Sequence, residues 1–149
     1  GITGFVRHTS LKCSQTASQK ITKALPCRSG RTQLHRRGLF MNEMDPQVLA
    51  EECAKAMFAR DRASQKLGMN IESVAPGKAV ITMTVTGDMI QGHGSCHGGY
   101  LFILADSAFA FAGNSYDRAT VASGCSIDYM YGAKEGDRLI ATAKEQVRG

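Results

Sequence analysis

The sequence predicts an α+β domain in which one long apolar helix is wrapped by a curved antiparallel sheet, and three observations carry that expectation. Residues 99–115 are apolar on several faces, with Leu101, Phe102, Leu104, Phe109 and Phe111 set around a helix that Ala105, Ala108, Ala110, Ala112 and Gly113 keep slim. A helix apolar all round is a buried one. Residues 78–86 alternate strictly, placing Ala79, Ile81, Met83 and Val85 on one face and Val80, Thr82 and Thr84 on the other, as a half-buried strand does. The coarse order α, β, β, α, β, β lacks the regular alternation of a doubly wound parallel sheet.

Each element can be justified in turn. Asp45-Pro46 supplies a cap and a first-turn proline, and Val48, Leu49, Glu52, Cys53, Ala56 and Met57 recur at helical spacing, so a helix runs to about Arg62. Leu67-Gly68-Met69 breaks it. Pro76-Gly77 then marks a turn between residues 71–75 and 78–86, a β-hairpin. A glycine-rich loop, Gln91-Gly92-His93-Gly94-Ser95-Cys96-His97, leads into Gly98-Gly99 and the long helix. Residues 121–130 and 138–147 are strand-like, joined by the turn Lys134-Glu135-Gly136-Asp137.

Composition narrows the function classes. The chain has 149 residues, 43% apolar and 21% charged, which suits one domain with a sizeable core. Its net charge of +5 is unevenly placed: eight Lys and Arg precede Met41 with no acidic residue among them, whereas ten basic and thirteen acidic residues follow. The region after Met41 is therefore mildly acidic, which disfavours nucleic acid as a partner. No apolar run approaches the ~20 residues that span a bilayer. Five cysteines without CxxC or CxxH pairing argue against a disulfide framework or a zinc site, and point to reduced thiols and a cytoplasmic setting. Residues 1–40, rich in Ser, Thr, Lys and Arg, show no sustained apolar pattern and are expected to stay out of the core. They read as a disordered leader or non-native extension, or as a mitochondrial transit peptide, ahead of a domain over 41–149.

Asp106 is the charge in the middle of the long helix. An unpartnered buried carboxylate costs several kcal/mol or shifts its pKa upward, so it is the first candidate for a catalytic group. The duller alternative is a carboxylate satisfied by a hydroxyl or a backbone group. His93 and His97 have a metal-like spacing only on a helix, which Gly92 and Gly94 oppose, so no metal site is expected. Cys96 and His97, adjacent in a loop, diverge too far for a nucleophilic dyad. Phe102, Phe109 and Phe111 read as core, and Tyr100 as either core or pocket.

With His97-Gly98-Gly99, Phe102, Leu104-Ala105-Asp106, Ala108-Phe109-Ala110, Asn114-Ser115 and Cys125-Ser126-Ile127-Asp128 in this order, the chain resembles the hotdog-fold acyl-CoA thioesterases of the phenylacetic-acid degradation (PaaI) type over about residues 67–143. The resemblance implies hydrolysis of small, often aryl (phenylacetyl-type), acyl-CoA thioesters by a homodimer or homotetramer. No cofactor is expected, since CoA is part of the substrate. It implies Asp106 as nucleophile or general base, the Gly98 N–H as oxyanion donor, and His97 as an orienting group for the carbonyl or the loop. Gln91, Gly99 and Ser123 are the expected substrate-binding positions, although Ser123 and Ser126 also read as solvent-facing strand residues. The alternative is a non-catalytic acyl-CoA-binding or interaction module, with a hotdog dehydratase a weaker third.

Asp106 lies eight residues after Gly98, roughly 12 Å along a helix at ~1.5 Å per residue, too far for both to meet one carbonyl. Two antiparallel helices related by a two-fold axis bring Asp106 of one chain to Gly98 of the other. Three departures from the family temper the match. Gln91 stands where these enzymes commonly carry asparagine, and Tyr131-Gly132 replaces a frequent Arg-Pro. The chain also reaches Gly149 about two strands early, so an incomplete domain with an open sheet edge is expected.

Overall fold

The computed structural model describes residues 2–6, 9–16 and 44–146, the first two segments by their backbone. Helix α1 spans Pro46–Phe58 and a short α2 spans Arg62–Lys66. The strands are β1 (Ile2–Val6), β2 (Thr9–Thr16), β3 (Asn70–Ala75), β4 (Lys78–Thr84), β5 (Val121–Tyr129) and β6 (Arg138–Glu145), and the long helix α3 runs Gly98–Gly113. One antiparallel sheet collects them in the order β3-β4-β6-β1-β2-β5. The helix-on-sheet α+β arrangement expected from the sequence is thus present. Among the described residues no helix is long and apolar enough to cross a membrane.

Local chemistry fixes the element ends. The Asp45 carboxylate accepts the N–H of Gln47 at 2.7 Å and starts α1 behind Pro46. Asp61 does the same for α2 by accepting the N–H of Ser64 at 3.0 Å, so α1 stops at Phe58, short of the expected Arg62, and a separate short helix follows. Between β3 and β4, Gly77 turns with φ +67°, and a Cβ there would lie 2.7 Å from the Tyr116 hydroxyl. Asn114 closes α3 by donating to the carbonyls of Ala110 and Thr120 and accepting the Thr120 N–H, each at 2.9 Å.

The core lies between α3 and the centre of the sheet. Ala79, Ile81, Met83 and Val85 all point inward, as the alternation requires, and meet Leu139, Ala141 and Ala143 of β6. Leu101, Leu104, Ala105, Ala108, Phe109, Phe111 and Ala112 are the buried face of α3, with alanines on both sides permitting close approach. The helix is not buried all round, however. Gly99, Phe102, Ile103, Asp106, Ala110 and Gly113 form a stripe that stays partly or fully exposed, because the sheet covers one side of α3 and, among the described residues, no element covers the other.

Two findings depart from the sequence reading. Residues 2–6 and 9–16, expected to stay out of the core, enter the sheet: β1 pairs with β6 and β2 with β5. They lie between β6 and β5 in the sheet order. Backbone N–H and C=O groups along β5 and β6 need partners, and a Thr-, Ser- and Val-containing segment supplies them without a strong apolar alternation of its own. The rest of the 1–40 segment lies outside the described residues. Cys53 and Cys96 stand outside any disulfide, but Cys125 is disulfide-bonded, against the expectation of reduced thiols.

Candidate active site

The approach to α3 is a closed loop. Ile90 and Cys96 pair as an isolated antiparallel bridge, the Gln91 N–H donates to the Ser95 carbonyl at 2.9 Å, and Gly94 turns with φ +79°. Cys96 and His97 are then anchored through their N–H groups to the carbonyls of Ala133 at 2.7 Å and Met89 at 2.8 Å. His97 thereby sits at the cap position of α3, and its Nδ1 accepts the Gly99 N–H at 3.0 Å. The first-turn N–H groups of a helix have no intrahelical acceptor. One of them is capped here, and the Gly98 N–H has no hydrogen-bond partner among the described residues.

Two turns further on, Asp106 is half-buried on the open stripe of α3. Its carboxylate has no hydrogen-bond or ion-pair partner among the described residues. The duller reading, a carboxylate satisfied locally, has no support in its surroundings. Its neighbour Ser107 is engaged elsewhere, 3.1 Å from the Ser64 hydroxyl. Burial with no compensating partner pushes the Asp106 carboxyl above the ordinary aspartate range. Gly99, Ile103 and Asp106 lie along one face of the helix at i, i+4 and i+7. A basic carboxylate and the dipole-positive, donor-bearing end of the same helix therefore share one accessible stripe.

The remaining sequence candidates separate. Gln91 is occupied within the loop: its side-chain amide donates to the Ser95 hydroxyl at 2.9 Å and accepts the His93 N–H at 2.9 Å. Ser123 and Ser126 lie on β5, and both positions are exposed. The Cys96 thiol donates to the His97 carbonyl rather than to its ring, at 3.7 Å, and burial raises its pKa, so no thiolate–imidazole pair forms. Among the described residues no group of three or more His, Cys, Asp or Glu stands together as a metal cluster would.

Sequence reasoning missed Tyr129, the last residue of β5. Its hydroxyl donates to the Gly98 carbonyl at 3.2 Å, and a Cβ on Gly98 would meet its ring at 3.1 Å. The only sequence signal was an aromatic after Ile127-Asp128. A cavity of about 350 Å³ opens beside this helix end, lined by Leu67, His97, Gly99, Tyr100 and Ile103. Tyr100, left between core and pocket by the sequence, lines it. A second cavity of about 420 Å³ shares Leu67 and Tyr100 and adds Lys66, Thr84, Thr86 and Asp88. A third cavity, about 690 Å³, lies between α1 and β3, away from Asp106 and Gly98.

Comparison with known proteins shows the family of the chain. The family model described as the thioesterase superfamily matches residues 93–147, which hold every candidate above except Gln91. Over 96 residues the chain is 51% identical to the acyl-coenzyme A thioesterase PaaI of Escherichia coli strain K12, covering 64% of this chain and 69% of that protein. A putative esterase of Archaeoglobus fulgidus is 37% identical over 97 residues, covering 65% of this chain and 63% of its own length. The solved structure of the E. coli PaaI protein from the phenylacetic acid degradation operon superposes with a TM-score of 0.70 at 48% identity, covering 70% of this chain and 76% of that one. With its central helix against an antiparallel sheet and its match to these relatives, the chain belongs to the thioesterase superfamily and has the hotdog fold.

Proposed function

We propose that this protein hydrolyses small acyl-CoA thioesters, aryl ones of the phenylacetyl type among them, to the free acid and CoA at a site shared between two copies of the chain. The observation that carries the proposal is the pairing of two groups on one helix that have no partner among the described residues, the Asp106 carboxylate and the Gly98 N–H. At roughly 12 Å along the helix axis they cannot serve one carbonyl in one subunit. The half-exposed stripe from Gly99 to Gly113 gives a second α3 a surface to pack on, antiparallel across a two-fold axis. Strand β5, exposed along nearly its whole length and paired on one side with β2, offers an edge that extends the same contact.

In such a site the Gly98 N–H stabilises the oxyanion of the tetrahedral intermediate, helped by the positive end of α3. Asp106 of the other chain acts by one of two routes. As a base, it takes a proton from water while the water oxygen bonds to the acyl carbon and the C–S bond breaks, and the thiolate of CoA then takes the proton. As a nucleophile, its carboxylate oxygen displaces the CoA thiolate to give a mixed anhydride, which water opens to the acid and the regenerated carboxylate, the remaining proton passing to the thiolate of CoA. Both routes balance without electron transfer and need neither metal nor redox cofactor. The raised pKa of Asp106 favours either role by making the carboxylate more basic.

A thiol-release assay on a panel of aryl- and alkyl-CoAs tests the reading. CoA release is expected from the parent and a roughly 10²–10⁴-fold loss from Asp106→Asn. Saturable acyl-CoA binding without release identifies a binding module instead, the reading that the internal engagement of Gln91 favours.

A further inference from the structure

Two consecutive glycines are the most mobile residues with which a helix can begin, because neither has a Cβ to narrow its φ and ψ. An N–H that is to meet an oxyanion must nevertheless be aimed in advance, since a donor that reorients during the reaction loses much of its value. Something outside the glycine backbone must hold it.

The Gly98 carbonyl and the Gly99 N–H are the two ends of a single planar peptide group. The N–H end donates to His97 Nδ1 at 3.0 Å, and the carbonyl end accepts the Tyr129 hydroxyl at 3.2 Å. One ring comes from the loop before α3 and the other from the end of β5, so this plane is gripped from both sides. The preceding plane, which bears the Gly98 N–H, is held at its other end, where the His97 carbonyl accepts the Tyr100 N–H at 2.9 Å. The Tyr129 ring also rests directly on Gly98, at a distance that only a residue without a Cβ allows comfortably.

We infer that Tyr129 is a positioning residue of the oxyanion site: its hydroxyl clamps the Gly98 carbonyl while His97 holds the other end of the same peptide, and together they keep the Gly98 N–H aimed outward. The inference rests on the reading of Gly98 as the oxyanion donor. It assigns Tyr129 no contact with the reacting atoms. It also gives His97 a definite part, that of the ring whose Nδ1 accepts the Gly99 N–H.

The test uses the full chain with Tyr129→Phe, which keeps the ring on Gly98 and removes only the donor. Backbone amide NMR is expected to show the Gly98 and Gly99 signals shifted or broadened, while the rest of the spectrum and the melting temperature stay those of the parent. With an acyl-CoA that the parent hydrolyses, kcat is expected to fall about tenfold with KM within about twofold, the loss of one hydrogen bond that acts on the transition state. A merely structural tyrosine would instead lower the melting temperature and move both constants. Unchanged Gly98 and Gly99 signals overturn the inference whether or not the chain is active, and so does a parent-like kcat. If the parent releases no CoA, the hydrolase reading falls on its own, and the two amide signals alone decide the clamp.

Discussion

The imidazole of His97 accepts the amide proton of Gly99 at 3.0 Å, and among the described residues this bond leaves the neighbouring Gly98 N–H as the unpartnered donor at the start of α3. His97 is a cap in this geometry, and its substitution should behave as a cap substitution. His97→Asn, with a side-chain oxygen suited to the same bond, is expected to hold stability within about 0.5 kcal/mol and to keep turnover within about tenfold of the parent. His97→Ala should cost about 1 kcal/mol in denaturant unfolding, because it frees a second N–H to compete for solvent. A loss of turnover in His97→Asn as complete as that in Asp106→Asn would make His97 a proton-transfer group instead.

If Asp106 acts as proposed, stability and activity should respond oppositely to pH. Its folded-state pKa is raised by burial above the unfolded value, so the folded chain holds this proton more tightly than the unfolded chain does. As pH rises through the ordinary aspartate range the unfolded state ionises first, and folding loses stability until the pH passes the raised folded value. Above that point the loss is constant. Asp106→Asn should therefore be more stable than the parent at neutral pH, by roughly 0.5 kcal/mol once partial exposure is allowed for, and equal to it in strong acid. Thermal melts of both proteins across pH measure this difference. The proposed reaction needs the ionised form, so the acid limb of kcat should lie above the usual carboxylate range. An acid limb at the ordinary aspartate value would remove burial from the explanation.

Strands β1 and β2 carry a prediction about the sheet. They separate β6 from β5, and each supplies one of those strands with its antiparallel partner. Deleting residues 1–16 should lower the melting temperature by at least about 5 °C and promote association through the two exposed edges. Calorimetry and sedimentation report both effects. A deletion variant with the parent's melting temperature and size would show that the pairing contributes nothing to stability.

How legible these features were depended on where their causes lie. The α3 helix, the Pro76-Gly77 hairpin and the inward face of β4 follow from periodicity and turn chemistry within a few residues, and they stand where the sequence places them. So does the cluster of His97, Gly98 and Gly99, since a histidine cap before two glycines is a local pattern. β1 and β2 were not legible, because they are selected by open edges on strands more than one hundred residues away in the chain. Tyr129 was missed for the same reason: its contact with Gly98 spans 31 positions and follows from sheet register. The partial exposure of Asp106 depends on which side of α3 the sheet leaves uncovered. Gln91 shows the converse, an amide whose bonds close locally on Ser95 and His93 although the resemblance pointed it toward substrate.

The shared site can be tested most directly by mixing two inactive chains. Gly98→Pro removes the N–H at the first position of α3, where proline is tolerated, and His97 already has a φ of −63° and ψ of 131°, which suit a residue before proline. Gly98→Ala is its control, since it meets the Tyr129 ring with the same Cβ and keeps the N–H. Gly98→Pro and Asp106→Asn are each expected to be inactive alone. Unfolded together and refolded in equal amounts, they should recover roughly a quarter of the parent rate, because half of the random dimers hold one intact site of two. A mixture that stays inactive while folding and associating like the parent, or a Gly98→Pro chain that turns over as well as Gly98→Ala, would contradict a site built from Asp106 of one chain and Gly98 of the other.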